Sequence, residues 1–445
     1  MTESDSWREG MDFKVAQQVG GIVDAFRAQR NIEIGVVPAR EGLGFMYGRG
    51  HILVRDEYLS QVQERLGQPI GITEQVRRIV EGVVRLDLLD REDGPVEITF
   101  AVDDITRQFG PSVASPDYVL TVAGVVGPCP ATEPEEVYDD IEPFPAVCPG
   151  NGGAGVSIYV TDTGLLDGAQ TNYPWLAGVT GDPDPLPALA ADGTQPIPQY
   201  TGHGTFVAGV IKCMAPAAEV FVLNEFVVAG STLESDLVFD LDAALGRGVD
   251  IFNLSITAPT MELQPLLGFQ AWLKRLRLYK GVVCVVAAGN NGSRALSWPA
   301  AFPEVVSVGA LAADWRSRAS FTNYGGWVDV YAPGRGIINA YATGTYTCQD
   351  DPYTSQIRTF YGMARWSGTS FSTPIVTGLI AARMSRTGEN GQEAAAALLR
   401  IARSQAIPGV GAILLPCPDD DDGASHLGEC CCAQRHRHRP CRAEP

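Results

Sequence analysis

In the stretch "LLGFQAWLKRLRLYKGVVCVVAAGNNG" (residues 266–292), an amphipathic segment is followed at once by a short apolar run. The first part repeats Leu, Phe, Ala and Trp at the spacing of one helix face. The second part, "VVCVVAA" (282–288), is a near-continuous run of small and β-branched residues, which is typical of a strand buried on both faces. We therefore predict a helix that leads into a buried strand, the repeating unit of a parallel sheet.

The same alternation extends over residues 155–416. Strand-like runs occur at "VSIYVTDTG" (156–164), "AEVFVLNEF" (218–226) and "VVSVGAL" (305–311), and helix-like segments such as "HGTFVAGVIKCMAP" (203–216) lie between them. This pattern predicts an α/β domain with a mainly parallel sheet that is covered by helices on both faces. In such sheets ligands bind at the carboxyl ends of the strands.

The segments before and after this domain differ from it in sequence pattern and composition. Residues 1–125 predict a small α+β module, because strand-like runs such as "GHILV" alternate with amphipathic runs such as "EYLSQVQERL". Residues 126–154 are dense in Pro, Gly and acidic residues, the composition of a linker. The tail at 417–445 joins "DDDDG" to a Cys- and His-rich end that lacks regular metal-ligand spacing, so we expect a disordered tail rather than a zinc site.

The charge balance excludes one class of partner. The 445 residues carry a formal net charge of −19, whereas binding to nucleic acid or to an anionic membrane requires clustered Lys and Arg. We therefore expect no nucleic-acid and no membrane partner. The oligomeric state is left open by the sequence.

The N-terminal sequence and the cysteines bear on the compartment. The start, "MTESDSWREGMDFKVAQQ", lacks the basic and then apolar stretch of a secretory signal, and no apolar run approaches the roughly 20 residues of a spanning helix. We expect a cytoplasmic protein, with secretion as the alternative. Cys213 and Cys284 are expected as small buried hydrophobes, and Cys129 and Cys148 would be able to pair in an exported chain.

Three polar residues lie next to glycines at strand ends or helix starts. "IYVTDTG" places Asp162 at the carboxyl end of a strand, and "YTGHGTFVAG" and "WSGTSFSTP" place His203 and Ser370 at the starts of helices. One edge of a parallel sheet brings such positions together, so the three side chains are candidates for acyl transfer. Each also has a structural interpretation: a turn cap, a satisfied buried histidine, and a helix N-cap. His203 is the only histidine between residues 52 and 425.

These stretches resemble the three signature motifs of the subtilisin-like serine peptidases (subtilases), in the order Asp, His, Ser. The motifs H-G-T-x-V-A-G and G-T-S-x-x-x-P are specific, and the resemblance covers roughly residues 150–415. It implies a subtilisin-like three-layer domain and a serine endopeptidase that works through an acyl-enzyme. In that mechanism Ser370 is the nucleophile, His203 the base, and Asp162 the group that orients the base.

Further segments resemble the family residue by residue. "VVAAGNNG" (285–292) resembles the segment with the oxyanion-hole asparagine, here Asn290, and "FNLSI" resembles the strand that pairs with the substrate. The resemblance also implies these substrate-binding residues: Ser255, Ile256, Thr257, Ala288, Gly289 and Ser297. Ser297 and Asn291 provide no carboxylate for a basic side chain, so we expect a neutral residue before the scissile bond.

The resemblance implies no cofactor for the chemistry, and the partner it implies is a protein or peptide substrate. Structural calcium is possible: "GDPDPLPALAADG" (181–193) has aspartates but no recognisable ligand pattern, and no metal-binding residue is assigned. The alternative to an active peptidase is a weak or inactive binding protein on the same scaffold. Residues 1–125 are either a cleaved propeptide or a retained regulatory domain. Ser372 is expected to be an ordinary structural serine.

Overall fold

The computed structural model describes residues 13–38, 43–70, 73–90, 96–122, 131–138, 142–226, 229–349 and 352–416. The predicted tail at 417–445 and Cys129 lie outside these residues, so the predictions made for them stay predictions. In the described part of the chain, no helix is both long and apolar enough to cross a bilayer.

The N-terminal part of the chain alternates helices and strands. In chain order these are α1 (Phe13–Arg30), β1 (Ile34–Pro38), β2 (Leu43–Arg55), α2 (Leu59–Arg65), β3 (Val76–Val80), β4 (Val83–Asp87), α3 (Ile98–Phe109) and β5 (Ala114–Val122). Helix α3 begins after Glu97, whose side chain accepts a hydrogen bond from the Phe100 N–H. We call the part from α1 to β5 the N-terminal module.

The rest of the described chain contributes twelve strands and six α-helices. In chain order these are β6 (Glu135–Glu136), β7 (Ser157–Asp162), α4 (Ala169–Asn172), β8 (Thr180–Gly181), α5 (His203–Met214), β9 (Glu219–Asn224), β10 (Ser231–Leu233), α6 (Glu234–Leu245), β11 (Ile251–Leu254), β12 (Ile256–Thr257), α7 (Leu267–Leu276), β13 (Val283–Ala287), β14 (Val306–Leu311), β15 (Val330–Pro333), β16 (Ile337–Thr347), β17 (Ile357–Trp366), α8 (Thr369–Thr387) and α9 (Gly391–Ser404). The stretch at 266–292 forms α7 and β13, as its pattern predicts.

A seven-stranded sheet forms the centre, in the order β15-β14-β13-β11-β7-β9-β8, and every neighbouring pair is parallel. Successive side chains of a strand point to opposite faces. On one face Ile158 and Val160 pack in a cluster with α5, α8 and α9, and on the other Tyr159 packs with α6 and α7. The predicted three-layer α/β fold is therefore confirmed.

The N-terminal module forms a second sheet in the order β10-β5-β2-β4-β3, with β1 paired to β2 and β12 paired to β5. Strands β10 and β12 belong to the larger domain, so the sheet is shared between the two parts of the chain. One apolar cluster joins Leu53 and Ile79 of the module to Leu237 of α6 and Trp272 of α7. Helix α1 packs separately, in a cluster that includes Leu233 of β10.

Buried polar groups also join the module to the larger domain. Asp117 of β5 accepts hydrogen bonds from the Ser235 N–H at Oδ1 (2.9 Å) and from the Ser235 hydroxyl at Oδ2 (2.6 Å) in the first turn of α6, and His51 Nε2 lies 3.0 Å from the same Oδ2. Glu234, next to Ser235, accepts from two N–H groups at the start of α7, those of Gly268 and Phe269. Burial raises the pKa of Glu234 to about 8. The module thus caps a helix of the larger domain.

Part of the predicted linker lies against the β16–β17 hairpin. Strand β6 pairs with β17, Phe144 pairs with Ile338 of β16, and the Trp366 indole N–H donates to the Thr132 carbonyl at 2.6 Å. The composition of this segment is that of a linker, yet these described residues are fixed to the surface of the larger domain. Cys213 and Cys284 are fully buried, and burial raises the pKa of the Cys213 thiol to about 12.

Candidate active site

Asp162 and His203 meet at the carboxyl edge of the central sheet. Asp162 is the last residue of β7, and His203 is the first residue of α5. Asp162 Oδ1 lies 2.7 Å from His203 Nδ1 and also accepts from the Thr163 N–H at 2.8 Å. Both side chains are fully buried. The carboxylate therefore fixes the orientation of the ring with a hydrogen bond that is stronger than a neutral one when the ring is charged.

The glycines around these two residues allow the strand end and the helix start to approach. Gly164 has φ 89°, and a Cβ placed on it would lie 2.8 Å from the Asp182 carbonyl oxygen. A Cβ on Gly204 would overlap the Gly164 carbonyl oxygen. A side chain on Gly204 would push α5 away from the end of β7, and one on Gly164 would push away the loop at Asp182 and Pro183. The glycines of D-T-G and H-G-T thus set the spacing that the Asp162–His203 hydrogen bond needs.

Ser370 lies in the first turn of α8, close to α5. The ring of its neighbour Phe371 has its centroid 5.3 Å from that of His203, so the starts of the two helices are in contact. Within the described residues, neither Ser370 Oγ nor His203 Nε2 has a hydrogen-bond partner, although both atoms are buried. A buried polar atom without a partner costs about 1–3 kcal/mol, and these two atoms lie at the starts of two helices that are in contact.

Asn290 lies just beyond β13 and is held by Thr369, the residue before Ser370. Asn290 Oδ1 accepts from both the Thr369 N–H (2.9 Å) and the Thr369 hydroxyl (3.0 Å), and the same hydroxyl accepts from the Gly289 N–H at 3.2 Å. With Oδ1 held there, the Nδ2 donor lies on the opposite side of the amide. The sequence analysis missed this role of Thr369; its signal was a hydroxyl residue directly before the candidate nucleophile.

The residues predicted to bind substrate contribute in different ways. The Ser255 hydroxyl donates to the Ser370 carbonyl at 3.4 Å. The Ile256 side chain is buried in the apolar cluster, so only the backbone of this residue would be available to a substrate. Thr257 Oγ1 is in hydrogen-bond contact with Ser297 Oγ. Ser297 Oγ also lies close to Gly289, just beyond β13: a Cβ built on that glycine would be 3.4 Å from it. The hydroxyls of Thr257 and Ser297 therefore bridge the space between β12 and the end of β13.

A strand of the N-terminal module lies along these same residues. Val122 of β5 pairs with Ile256, and Thr121 pairs with Thr257 of β12 on one side and with Ser231 of β10 on the other. The Val122 N–H also donates to the Gly230 carbonyl at 2.9 Å. Strand β5 is therefore the middle strand of a three-stranded antiparallel arrangement beside Ser370. The sequence analysis did not predict this pairing.

The aspartates of the loop at 181–193 take part in local hydrogen bonds. Asp182 accepts from the Asn224 N–H, Asp184 from the Gly202 N–H, and Asp192 from the Thr194 N–H. The described residues contain no group of three or more His, Cys, Asp or Glu side chains that would hold a metal ion. No calcium ligand is assigned among these residues.

A comparison with known proteins identifies the family. A family model described as the subtilase family matches residues 153–410, which is more than half of the chain. The chain belongs to the subtilase family. This confirms the resemblance that the three motifs carry, and it assigns the central sheet, α5 and α8 of this subtilase to the matched region.

Curated relatives of this subtilase have protease names. Subtilisin Savinase of Lederbergia lenta is 30% identical over 239 residues, which are 52% of this chain and 76% of that protein. Thermitase of Thermoactinomyces vulgaris is 30% identical over 259 residues, 55% of this chain and 80% of that protein. M-protease of Shouchella clausii is also 30% identical, and the chain spans only about half of its length, 54%.

A solved structure extends the likeness beyond the matched region. The crystal structure of fervidolysin from Fervidobacterium pennivorans, described as a keratinolytic enzyme related to subtilisin, is similar with a TM-score of 0.53. It is 19% identical and covers 83% of this chain and 60% of its own. This likeness concerns the fold alone. Because 83% is more than residues 153–410 span, the shared fold includes part of the N-terminal module.

Proposed function

We propose that this subtilase is a serine endopeptidase that hydrolyses peptide bonds through an acyl-enzyme, with Ser370, His203 and Asp162 as its triad. The observation that carries the proposal is the buried Asp162–His203 hydrogen bond, together with two buried atoms, His203 Nε2 and Ser370 Oγ, that have no partner in the described part of the chain. These are the two atoms between which a proton passes when a serine attacks a carbonyl.

In this mechanism Ser370 Oγ attacks the carbonyl carbon and His203 Nε2 takes the hydroxyl proton. The Oγ–C bond forms, and the carbonyl oxygen becomes an oxyanion. Asp162 Oδ1 keeps the proton of His203 on Nδ1, which leaves Nε2 as the acceptor. The protonated ring then gives its proton to the amine, which leaves as the C–N bond breaks. A water molecule attacks the acyl-enzyme by the same route and releases Ser370.

Two groups are placed to stabilise the oxyanion. One is the Asn290 Nδ2 donor, whose amide is held through Oδ1 by Thr369. The other is the backbone N–H of Ser370, in the first turn of the 19-residue helix α8. The first N–H groups of a helix have no partner within it, and the positive end of the helix dipole favours an anion.

A labelling experiment tests the proposal. A fluorophosphonate probe reacts with an activated serine, so it should label the wild-type protein and Ser372→Ala but not Ser370→Ala. The alternative, a weak or inactive binding protein on the same scaffold, predicts no labelling of any of the three. Absence of labelling in well-folded wild type, even after removal of residues 1–125, would exclude the peptidase.

We further propose that the N-terminal module inhibits this site by occupying it. Strand β5 lies between β10 and β12, the place an extended substrate would take, and Asp117 holds the module on α6. A peptide bound there would need the same backbone hydrogen bonds that β5 now makes. Substrate and module therefore compete for the same position between β10 and β12.

Thr121→Pro is expected to speed labelling of Ser370 by about ten-fold or more. Proline removes a backbone donor and is not tolerated in the middle of a sheet, so β5 should lose its pairing with β10 and β12. The rate of fluorophosphonate labelling measures this, and Thr121→Ser, which keeps the backbone N–H, is the matched control. Equal rates for the two variants would show that β5 does not block the site.

The bridge between Thr257 and Ser297 leads to a prediction about substrates. Because the two hydroxyls cross the space where the side chain before the scissile bond would lie, small residues there should be cleaved best. Replacing both Thr257 and Ser297 by glycine is expected to raise kcat/KM for phenylalanine relative to alanine at that position by about ten-fold or more, since each methylene a pocket admits contributes about 1–3 kcal/mol. An unchanged ratio of kcat/KM between the phenylalanine and alanine peptides would contradict this prediction.

The cytoplasmic location stays a prediction from sequence. Fractionating cells and probing for the native protein would test it, and recovery from the medium would favour secretion.

A further inference from the structure

A second buried carboxylate, Asp184, lies beside the Asp162–His203 pair and is not used in the mechanism above. It is 7% exposed. Its Oδ2 atom accepts two hydrogen bonds, one from the Gly202 N–H at 2.7 Å and one from the Thr163 hydroxyl at 3.0 Å. Neither donor is an ordinary loop residue. Gly202 directly precedes His203, and Thr163 directly follows Asp162.

These contacts form a short chain of hydrogen bonds around the histidine. The Thr163 hydroxyl donates to Asp184 and accepts from the Gly204 N–H at 3.0 Å. Asp184 therefore holds the residue before His203 directly, and through Thr163 it holds the residue after His203. The start of α5 is thus tied on one side to Asp184 and on the other to Thr163, the residue that follows Asp162 at the end of β7.

Asp184 is itself fixed to the turn that follows β7. Its N–H donates to the Leu165 carbonyl at 2.9 Å, and the Leu165 N–H donates to the Asp182 carbonyl at 2.8 Å. This short parallel bridge pairs Leu165 with Pro183 directly after Gly164, whose positive φ shapes the turn. The backbone of Asp184 is therefore held by Leu165, while its carboxylate accepts hydrogen bonds from the Gly202 N–H and the Thr163 hydroxyl.

The charge of Asp184 acts on the catalytic groups. Its pKa is raised to about 6: burial raises the pKa most and the negative charge of Asp162 adds to this, whereas the hydrogen bonds from Gly202 and Thr163 and the nearby His203 lower it. Asp162 of β7 and His203 of α5 are the titratable groups of other elements that act most on it; Thr163 and Gly202, which contact it, carry no titratable side chain. Above about pH 6 a second negative charge thus lies near the imidazole.

We infer that Asp184 is a positioning residue, which holds His203 against Asp162 and stabilises the protonated imidazole with a second negative charge. This inference rests on the proposed function, because Asp184 acts through His203 and does not touch the substrate. The tie fixes the ring position, and its loss should lower kcat more than it raises KM. The charge favours the imidazolium that forms when Ser370 attacks.

The two contributions can be separated by two substitutions at one position. Asp184→Asn keeps an acceptor oxygen for the Gly202 N–H and removes the charge, whereas Asp184→Ala removes both. Asp192→Asn is the matched control, since it removes the same charge from an exposed residue of the same loop that binds only Thr194 among the described residues. The readout is kcat/KM of the full-chain protein for a peptide substrate between pH 5 and 9.

For Asp184→Asn we expect kcat within about ten-fold of wild type and an acid limb of the pH profile that moves to lower pH by several tenths of a unit. The direction follows because the protonated ring loses a stabilising charge and so persists only at lower pH. For Asp184→Ala we expect kcat to fall by about 10- to 100-fold with little change in KM. Asp192→Asn should keep the wild-type profile.

An acid limb that does not move in Asp184→Asn would overturn the inference. A lower melting temperature without any change in the pH profile would also overturn it, because that is the result expected of a purely structural residue. Asp184→Asn carries the test if Asp184→Ala does not fold. The outcome is distinct from failure of the proposed function: in that case the fluorophosphonate probe would not label wild type at all. If the probe labels wild type and the acid limb of Asp184→Asn does not move, only the role assigned to Asp184 is wrong.

Discussion

Ser370→Ala is expected to lower kcat by about a million-fold, since removing the nucleophile of a triad costs as much as removing the whole triad. The substitution deletes one hydroxyl that has no hydrogen-bond partner in the described part of the chain, so stability should change little. The remaining slow turnover would come from the oxyanion donors and from substrate binding. The measurement is kcat on a peptide substrate, with the melting temperature as the check on folding.

The same variant separates the two interpretations of the N-terminal module. If residues 1–125 are a self-processed propeptide, intact-mass and N-terminal analysis of purified wild type shows a cut within residues 120–150, and Ser370→Ala shows one full-length mass. Ser372→Ala is the matched control, a buried serine two residues along α8, and it should be cut as wild type is. If Ser372→Ala loses all activity while folding normally, the roles of the two serines are wrongly assigned. Identical full-length masses for wild type and Ser370→Ala would favour a retained module.

Asn290→Leu is expected to lower kcat by about 10²- to 10³-fold, with KM within a few-fold of wild type. Leucine has nearly the shape of asparagine but offers no N–H to the oxyanion. Because that charge exists only in the transition state, its loss affects kcat rather than ground-state binding. Steady-state kinetics on one peptide series measure both parameters.

The neighbouring asparagine is the control for this prediction. Asn291→Leu alters an exposed side chain in the same turn; because Asn291 lies near the pocket for the residue before the scissile bond, KM is free to change, but kcat should stay within a few-fold of wild type. Should Asn290→Leu raise KM without lowering kcat, Asn290 would be a substrate-binding residue rather than an oxyanion donor. Loss of folding in Asn290→Leu would be seen as a lower melting temperature, and Asn290→Ala would then repeat the measurement.

The central sheet was predictable because its signal is local. A strand buried on both faces requires a continuous apolar run, and β7 and β13 each show one. The candidate residues Asp162, His203 and Ser370 were predictable for a related reason, since polar residues beside glycine mark the ends of such strands and the starts of helices. The family motifs then connected them. Physical pattern and resemblance were both needed.

Contacts between distant, non-repeating segments were not predictable. Thr369 binds Asn290 across 79 residues, and Asp184 binds Gly202 from a loop with no periodicity. A hydroxyl or carboxyl group in a loop can bind any backbone donor nearby, so the sequence does not indicate its partner. The same limit applies to β5: its apolar content predicts a strand, but nothing in it specifies pairing with β10 and β12.

In the proposed peptidase, the position of β5 between two very short strands has a consequence for what the enzyme would cleave. β10 has three residues and β12 has two, so their free edges form a narrow gap that one extended chain fills from both sides. A polypeptide entering that gap must first give up every hydrogen bond its own backbone makes there. Helices and the inner strands of folded proteins do not meet this condition, whereas loose termini and unfolded chains do. Local unfolding of the target, more than its sequence, would then limit where it is cut.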